Sequence, residues 1–426
     1  MTPDQVLTKA GDVSIEEIKI ITTQGFYQDI TNQVMAIQIY EDLFSPFMTG
    51  TLEVRDSLDL LNVFPLNGEE FLHMKINTPT LQKGNIDHKF YIFKMSDKMP
   101  IGDRSDVYTL HFISEEALLD VNKKISKTFD GRCSDIAKRI LTDKQFGLQS
   151  NKEFVVEDTS NSTKYISNFW SPIKNLIEVC GTSINKNGNA SYIFYESRYG
   201  FNFVSLEYLY QQDHYQLFQY DAYIRDVDPN TNVSTRNVTE DYKRIRTVNV
   251  PTVYDYIDRN RKGMFASKMI TYDPVTKRYS NKNYDMIDTY TQQNHLNKFA
   301  YASNKSIYRY SSYLLNMTKY TGNFSGYGDV TNTGSIQNRT SLLSQAEAGK
   351  LEITVPGRLD YTVGLKVELK FFKTEPIEQE DSDIVDSVMS GNYIISAINH
   401  YINRKRHECT IEVIKDSLLI DLDRSK

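Results

Sequence analysis

The stretch from Gln33 to Ser57, QVMAIQIYEDLFSPFMTGTLEVRDS, sets the pattern on which much of the chain is built. Its first half is an apolar run in which alternate side chains share one face of an extended strand, among them Met35, Ile37 and Ile39. A turn around Ser45-Pro46 leads into a second half in which Leu52 and Val54 alternate with polar residues. An apolar run, a turn and an alternating run together predict two strands of one ribbon with at least one buried face.

Three further runs before residue 114 have the same extended character. They lie at 71–76, 89–95 and 106–113, and the last two flank Pro100-Ile101-Gly102-Asp103, which is typical of a hairpin turn. Residues 1–32 are polar with one short alternating run, which predicts an N-terminal arm or a first edge strand. Because five or six strands fall within about 80 residues without a helical period, we expect residues 33–113 to form a small closed β-barrel or sandwich.

The pattern changes at residue 114, and residues 114–206 predict a compact α+β domain. Three serines are the expected N-caps of successive helices, and a proline follows the third of them: Ser114, Ser134 and Ser171. The first helix is expected to present Leu118, Val121 and Ile125 on one face. Two strand-like runs follow, at 192–195 and 201–204, so the domain combines helices with a hairpin.

Residues 207–345 differ in composition from the rest of the chain. Eighteen of the 29 tyrosines lie between Tyr208 and Tyr327, and from Arg225 to Lys319 there are 16 lysines and arginines against nine aspartates and glutamates. Tyrosine gives a large contact area with few rotatable bonds and a polar tip, which is typical of contact surfaces. We interpret this segment as a basic, Tyr- and Asn-rich interaction domain, with a helix expected near 289–302.

The last block, residues 346–426, is similar to the first. Leu351-Glu352-Ile353 matches Leu52-Glu53-Val54, and each triplet follows a glycine. A strand-like run at 363–369 and a hairpin pattern at 393–413 continue the match, so we expect a second barrel made by internal duplication and interrupted by an acidic insertion at 374–390. The predicted fold class is therefore α+β, predominantly β, with two similar small β-barrel domains, an α+β domain and the Tyr-rich middle domain.

Composition and charge narrow the class of protein. An apolar content of 40% and a charged content of 24% are ordinary for a globular chain, and a net charge of −6 gives no global reason to expect nucleic-acid binding. No apolar run reaches the ~18 residues that a membrane span needs, and the N-terminus lacks a signal-peptide pattern, so we expect synthesis in the cytoplasm and no membrane span. The three cysteines, Cys133, Cys180 and Cys409, are odd in number and far apart, which does not describe a disulfide framework.

Motifs for enzymatic chemistry are absent from the sequence or incomplete in it. Gly322 to Gly326 has the wrong spacing for a nucleophile elbow, and Gly326-Tyr327-Gly328 lacks the third glycine of a dinucleotide-binding turn. Asp226 to Asn232 resembles the start of a calcium loop, but Thr231 stands where that loop needs glycine. The acidic pairs Glu69/Glu70 and Glu115/Glu116 are typical of a turn and of a helix start.

His407 and Cys409 lie on an expected strand, where they share a face and could ligate a metal ion together. Tetrahedral zinc needs more ligands than this segment shows, so the pattern favours an ordinary strand-face pair. Trp170 is expected to pack the helix that follows Ser171 onto the sheet. The sequence thus assigns no catalytic, cofactor-binding or metal-ligating residue and no cofactor, and it indicates a protein that is not an enzyme.

Three stretches, taken in order, carry a resemblance to a known family. Met48–Asp56 after a long apolar strand is similar to a first hub barrel, and Asn168–Pro172 with the hairpin at 192–203 looks like a helix-and-hairpin unit. Residues 350–370 and 391–400 are similar to a second barrel. Together they resemble the central baseplate hub family of contractile tails, which includes the T-even phage hub and the hub portion of type VI secretion spike proteins. The order of the units carries the resemblance, and the middle domain matches poorly.

The resemblance implies a homotrimer in which two similar barrels per chain form a pseudo-six-fold ring around a central channel. Such a ring would adapt a trimeric spike to a hexameric tail tube. The implied partners are a central spike protein that can carry a lysozyme, tail tube or tube-initiator proteins, the tape-measure protein and the surrounding baseplate wedge. DNA would pass through the channel without specific binding, and the protein would reside in the virion, at the tail baseplate.

Two other functions remain open on the sequence alone. One is a cell-wall carbohydrate-active enzyme of the tail, built on β domains. The other is a nucleic-acid-binding module that uses the basic, Tyr-rich middle domain to stack on and neutralise a strand. Aspartates such as Asp255, Asp273 and Asp288 interrupt the basic residues of that domain, which favours a protein-contact surface.

Overall fold

The structure is a computed structural model of the chain, and it describes residues 9–64, 66–79, 81, 85–101, 104–220, 238–252, 254–273, 277–303, 312–317, 334–373 and 385–423. The first part of the chain contains β1 (Ser14–Ile21), β2 (Tyr27–Asp29), β3 (Val34–Asp42), β4 (Thr49–Asp56), α1 (Leu60–Val63), β5 (Phe71–Asn77), β6 (Ile86–Pro100) and β7 (Asp106–Ser114). The next part contains α2 (Glu116–Asn122), β8 (Ile125–Arg132), α3 (Cys133–Thr142), β9 (Glu153–Val156), β10 (Ser162–Trp170), α4 (Pro172–Thr182), β11 (Tyr192–Ser197), β12 (Gly200–Ser205) and α5 (Leu206–Tyr210).

The middle of the chain combines short helices with short strands. It contains β13 (Gln216–Tyr220), α6 (Val238–Asp241), β14 (Thr247–Thr252), α7 (Tyr256–Arg261), β15 (Ala266–Asp273), β16 (Arg278–Asp285), α8 (Met286–Tyr290), β17 (Phe299–Ala300), β18 (Ser312–Met317) and α9 (Ile336–Ala346). The last part contains β19 (Gly349–Pro356), β20 (Lys366–Phe371), β21 (Gly391–Asn403), β22 (His407–Lys415) and β23 (Ser417–Leu418). The fold is thus α+β and predominantly β, as the sequence predicts. Among the described helices, none combines the length and apolar character that crossing a bilayer requires.

One large sheet runs through both ends of the chain. Its strand order is β14-β19-β22-β21-β3-β4-β7-β6-β5-β1-β2, with β20 also paired to β21 and β13 to β20. Among the described strands, no ring of pairings closes, so the expectation of two closed barrels is wrong. The reason lies in β21, which pairs with β20 through its first residues and with β3 through its last seven. The sheet therefore continues from one half of the chain into the other.

The two halves of this sheet have the same connectivity. In the first unit, which we define as β1 and β3 to β7, the pairing order is β3-β4-β7-β6-β5-β1. In the second unit, which we define as β13, β14 and β19 to β22, the order is β14-β19-β22-β21-β20-β13. Along the chain, the strands of the second unit fill the corresponding places of the sheet in the same succession as those of the first unit. One pairing differs in direction, since β1 is antiparallel to β5 whereas β13 is parallel to β20.

Matching β-bulges fix which residues of the two units correspond. The bulge in β6 lies between Ile92 and Lys94, and the bulge in β21 lies between Ile395 and Ala397. The cross-strand rows just beyond the bulges are Leu52–Leu110–Met95 and Ile353–Ile411–Ile398. Leu52 therefore corresponds to Ile353, and the sequence-based match of Leu52 with Leu351 is wrong by two residues. Because a two-residue shift keeps the same side chains on the same face, alternation alone does not reveal it.

The ribbon predicted over residues 33–57 is confirmed, since β3 and β4 pair antiparallel. A bulge between Val34 and Ala36 turns Met35 outward, where it is 46% exposed. Alternation predicts that Met35 lies on the same face as Ile37 and Ile39. That prediction is wrong, because Met35 does not lie on their buried face. The predicted strands at 71–76, 89–95 and 106–113 are confirmed as β5, β6 and β7. Residues 1–32 contain β1, which pairs with β5 and places Ile18 and Ile20 in the core of the first unit.

Residues 114–206 form two small sheets, β8 with β10 and β9-β12-β11, packed against α3 and α4. The predicted cap at Ser171 is confirmed, since its side chain accepts a hydrogen bond from the Lys174 N–H at 3.3 Å. The first helix is shorter than expected: α2 begins at Glu116, Val121 is 69% exposed and Ile125 opens β8. Ile125 lies in a strand and not in a helix because residues 125–132 pair with β10 along their whole length. Ser134 lies inside the first turn of α3 and not at its cap.

The helix expected near 289–302 is also wrong, since α8 ends at Tyr290. The residues after α8 instead form hydrogen bonds with the segment at the end of the second unit. The Leu296 N–H donates to the Asp416 carboxylate at 3.1 Å, and the Asn297 N–H donates to the Ser417 hydroxyl at 2.7 Å. These bonds to distant residues satisfy the backbone groups that a helix would otherwise pair.

Replacing Gly50 with alanine is expected to reduce stability by about 1–3 kcal/mol, since overpacking a core costs that much. A Cβ at Gly50 would overlap the Phe112 ring and the backbone oxygen of Gln38. Urea unfolding of the full chain measures the change. Gly181→Ala in α4 is the matched control, because a Cβ there meets nothing within 4 Å and helices prefer alanine to glycine. Equal unfolding midpoints for the two variants would contradict this account of Gly50.

Candidate assembly interface

The pairing of β3 with β21 joins the two units within one chain. Seven residue pairs are in register, from Ala36 opposite Asn403 to Asp42 opposite Ala397. The two cores also exchange residues across this pairing. Leu43, which follows β3, lies in the core of the second unit, and Ile402 of β21 lies in the core of the first. The junction is therefore both a hydrogen-bonded and an apolar contact.

Glu41 is a buried carboxylate at this junction. It accepts a hydrogen bond from the Thr362 hydroxyl, and its Oε2 lies 3.3 Å from the Arg198 backbone nitrogen and 3.4 Å from that of Val363. Arg198 belongs to the turn between β11 and β12, so Glu41 ties the α+β region to the junction. Burial raises the pKa of Glu41 to about 6, although these hydrogen bonds and the charge of Arg198 act in the opposite direction.

In the described part of the chain, two strands lack a partner along one edge, at positions that correspond to the junction. From Phe93 onward, the described pairing of β6 is with β7 alone, whereas the equivalent part of β21 is covered by β3. β14 likewise pairs with β19 alone among the described strands, whereas its equivalent, β3, has partners on both sides. Among the described strands, β6 is thus an uncovered counterpart of β21, and β14 is an uncovered counterpart of β3.

Equivalent positions on the covered and the open strand differ in exposure. Ile398 of β21 is 2% exposed, whereas its counterpart in β6, Met95, is 40% exposed. Phe93 and Met99 are also exposed, so the open part of β6 presents several apolar side chains to solvent. A strand edge with unpaired backbone groups can pair with a strand of another chain. We call the open parts of β6 (93–100) and β14 (247–252) the edge surfaces.

The two edge surfaces are different from each other, so a contact between them is heterologous. A heterologous contact joins copies head to tail, and it produces a closed ring when the rotation per step divides a full turn. Pairing of β14 from one chain with β6 of the next would repeat, between chains, the β3–β21 contact within each chain. The arrangement is therefore suited to assembly.

The acidic pairs singled out in the sequence serve local structure. Glu116 accepts hydrogen bonds from Lys152 at 2.6 Å and from Ser150 at 2.7 Å. Glu70 accepts from the backbone N–H groups of Asn67 and Gly68, which closes the turn before β5. The calcium-like segment 226–232, the glycine-containing segment 322–328 and most of the acidic insertion, 374–384, lie outside the described residues.

Several cations of the middle domain are used inside the fold. Arg339 donates to three backbone oxygens, those of Cys180, Ala190 and Tyr192. Arg259 donates to the backbone oxygen of Ala348. These arginines fasten the middle domain to its neighbours, and their charge is partly buried. The basic composition of residues 207–345 therefore overstates the positive charge that faces solvent.

The chain has the fold of two solved tail proteins. It matches the tail protein from Neisseria meningitidis MC58 with a TM-score of 0.55 and 10% identity, over 94% of this chain and 96% of that one. It matches the 43 kDa tail protein of prophage MuSo2 from Shewanella oneidensis with a TM-score of 0.51 and 10% identity, over 94% of this chain and 98% of that one. A component of the E. coli type VI secretion system gives a TM-score of 0.44, with 9% identity over 95% of this chain and 76% of that one. No protein-family model matches the chain, and no curated protein shows significant sequence similarity to it.

Replacing Glu41 with glutamine is expected to change how stability depends on pH. A carboxyl whose pKa is about 6 when folded binds more protons in the folded than in the unfolded state, so its contribution is lost as pH rises from about 4.5 to 6. Wild type should therefore lose up to about 2 kcal/mol relative to Glu41→Gln between pH 4 and pH 7. Urea unfolding of both proteins across that range measures the difference, and a difference that does not vary with pH would contradict the burial of an ionisable Glu41.

Proposed function

We propose that this protein is a structural hub at the centre of a contractile-tail baseplate, in a phage virion or a related injection machine. The observation that carries the proposal is the pair of edge surfaces, which match the two strands of the internal junction. The fold shared with two tail proteins supports it. In this role the protein acts through its surfaces and needs no catalytic residue.

The proposed assembly is a homotrimer. Each chain contributes two six-strand units of the same connectivity. If β14 of one chain pairs with β6 of the next as β3 pairs with β21, three chains place six similar units in a closed ring. Such a ring has three-fold symmetry in its chains and approximate six-fold symmetry in its units. It therefore suits an adaptor between a trimeric spike and a hexameric tail tube, around a channel through which DNA passes.

The proposed partners follow from this position. The central spike protein, with or without a lysozyme, would bind the three-fold side of the ring. Tail tube or tube-initiator proteins and the tape-measure protein would contact the other side and the channel, and the baseplate wedge would contact the periphery. The middle domain, with its exposed tyrosines Tyr254, Tyr279 and Tyr313, is a candidate for the outer contacts.

Replacing Met95 with glutamate is expected to abolish the trimer. Met95 lies on the open edge of β6 and its counterpart Ile398, on the covered edge, is 2% exposed, so we expect a charge at Met95 to be desolvated in the assembled ring. Light scattering over a concentration series should give about three times 49.3 kDa for wild type and 49.3 kDa for Met95→Glu.

Val121→Glu is the matched control for this experiment. Val121 is also an exposed apolar residue, but it lies on α2, away from the edge surfaces, so this variant should remain trimeric. Circular dichroism checks that both variants are folded. A wild-type mass of 49.3 kDa at every concentration, or loss of the trimer in both variants, would contradict assembly through the β6 edge.

A further inference from the structure

Three buried side chains converge below the junction of the two units. His407 and Cys409 share a face of β22, as the sequence predicts, and His400 of β21 reaches the same point from the neighbouring strand. His400 Nδ1 lies 3.0 Å from His407 Nε2 and 3.2 Å from Cys409 Sγ, and Cys409 Sγ lies 3.5 Å from His407 Nε2. All three residues are at most 1% exposed. We call this group the His-His-Cys cluster.

The three separations fit the ligand atoms of one metal ion. Atoms arranged in this way have a common point about 1.9 Å from each, in their own plane. An ion displaced from that plane by about 1 Å reaches the usual zinc–nitrogen distance of about 2.0–2.1 Å and comes close to the zinc–sulfur distance of about 2.3 Å. Imidazole nitrogen and thiolate sulfur are both ligands that zinc takes in proteins.

A carboxylate lies beside one ring of the cluster. His400 Nε2 is 3.8 Å from the Glu41 carboxylate, and such outer groups orient ligating histidines. The charged groups that act on the cluster are Glu41, Arg198 and Asp360. Gly357 leaves room for the His407 ring, since a Cβ there would overlap it.

We propose that His400, His407 and Cys409 form a three-ligand site for one Zn²⁺ ion, with a fourth position for water. The ion fastens β21 to β22 directly beneath the residues of β3, and so it stabilises the junction of the two units. The site belongs to a single chain and does not depend on assembly. Cys409 and His407 alone do not identify it from the sequence, because the third ligand comes from the adjacent strand.

Cobalt binding to the full-length chain tests the proposal. Under reducing conditions, metal-free wild type should bind one Co²⁺ per chain, with a thiolate-to-cobalt charge-transfer band and the intense visible bands of tetrahedral cobalt. Zn²⁺ should displace the cobalt and raise the thermal unfolding midpoint. Cys409→Ser should lose the charge-transfer band, whereas Cys180→Ser, which removes another buried thiol from α4, should keep it.

The wild-type titration keeps the test decisive even if Cys409→Ser fails to fold. Fewer than about 0.1 ions bound per folded wild-type chain, or a cobalt spectrum without a thiolate band, would overturn the proposal. A spectrum unchanged in folded Cys409→Ser would also overturn it. Because the readout is metal binding by one chain, its failure leaves the mass measurement on the trimer unaffected, and the reverse is equally true.

Discussion

The antiparallel pairing of β3 with β21 is the contact on which the architecture depends. It turns two six-strand units into one sheet, and it lies between other strands on both sides. Breaking it would leave two rows of buried backbone N–H and C=O groups without partners and would expose Leu43 and Ile402. A fully buried Leu or Ile side chain contributes about 1.5–3 kcal/mol, so these two residues alone resist separation of the units. The two units are therefore joined by one continuous sheet, and Glu41 extends the joint to the α+β region.

Local patterns in the sequence predicted the elements well, and they failed where distant parts of the chain decide the outcome. Alternation located β3 to β7 and β19 to β22, and the Ser171-Pro172 pair located the start of α4, because strand faces and helix caps are short-range features. Closure of a barrel, the extent of a helix at Ile125 and the two-residue offset of the repeat depend on pairing partners. The edge surfaces could not be predicted, because whether a strand has a free edge depends on how strands elsewhere in the chain pair. His400 was missed for the same reason, because no spacing rule places a residue of β21 beside two residues of β22.

The middle domain shows how composition and structure diverge. Its excess of basic residues and tyrosine predicted a contact surface, yet Arg339 is partly buried against three backbone oxygens of the α+β region. The Tyr242 hydroxyl likewise accepts a hydrogen bond from the Gly11 N–H, near the start of the described chain. These residues join segments that are far apart in sequence. The overall count of aromatic or basic residues therefore does not describe the surface of the domain, where Tyr254, Tyr279 and Tyr313 are among the exposed side chains.

The one strand that departs from the repeat limits how far the two units correspond. β13 occupies the place of β1 but runs in the opposite direction. A parallel and an antiparallel neighbour use different hydrogen-bond patterns, so the residues of β13 cannot be matched one to one with those of β1. The correspondence therefore covers five strands, and each unit completes its sheet with a sixth strand of its own.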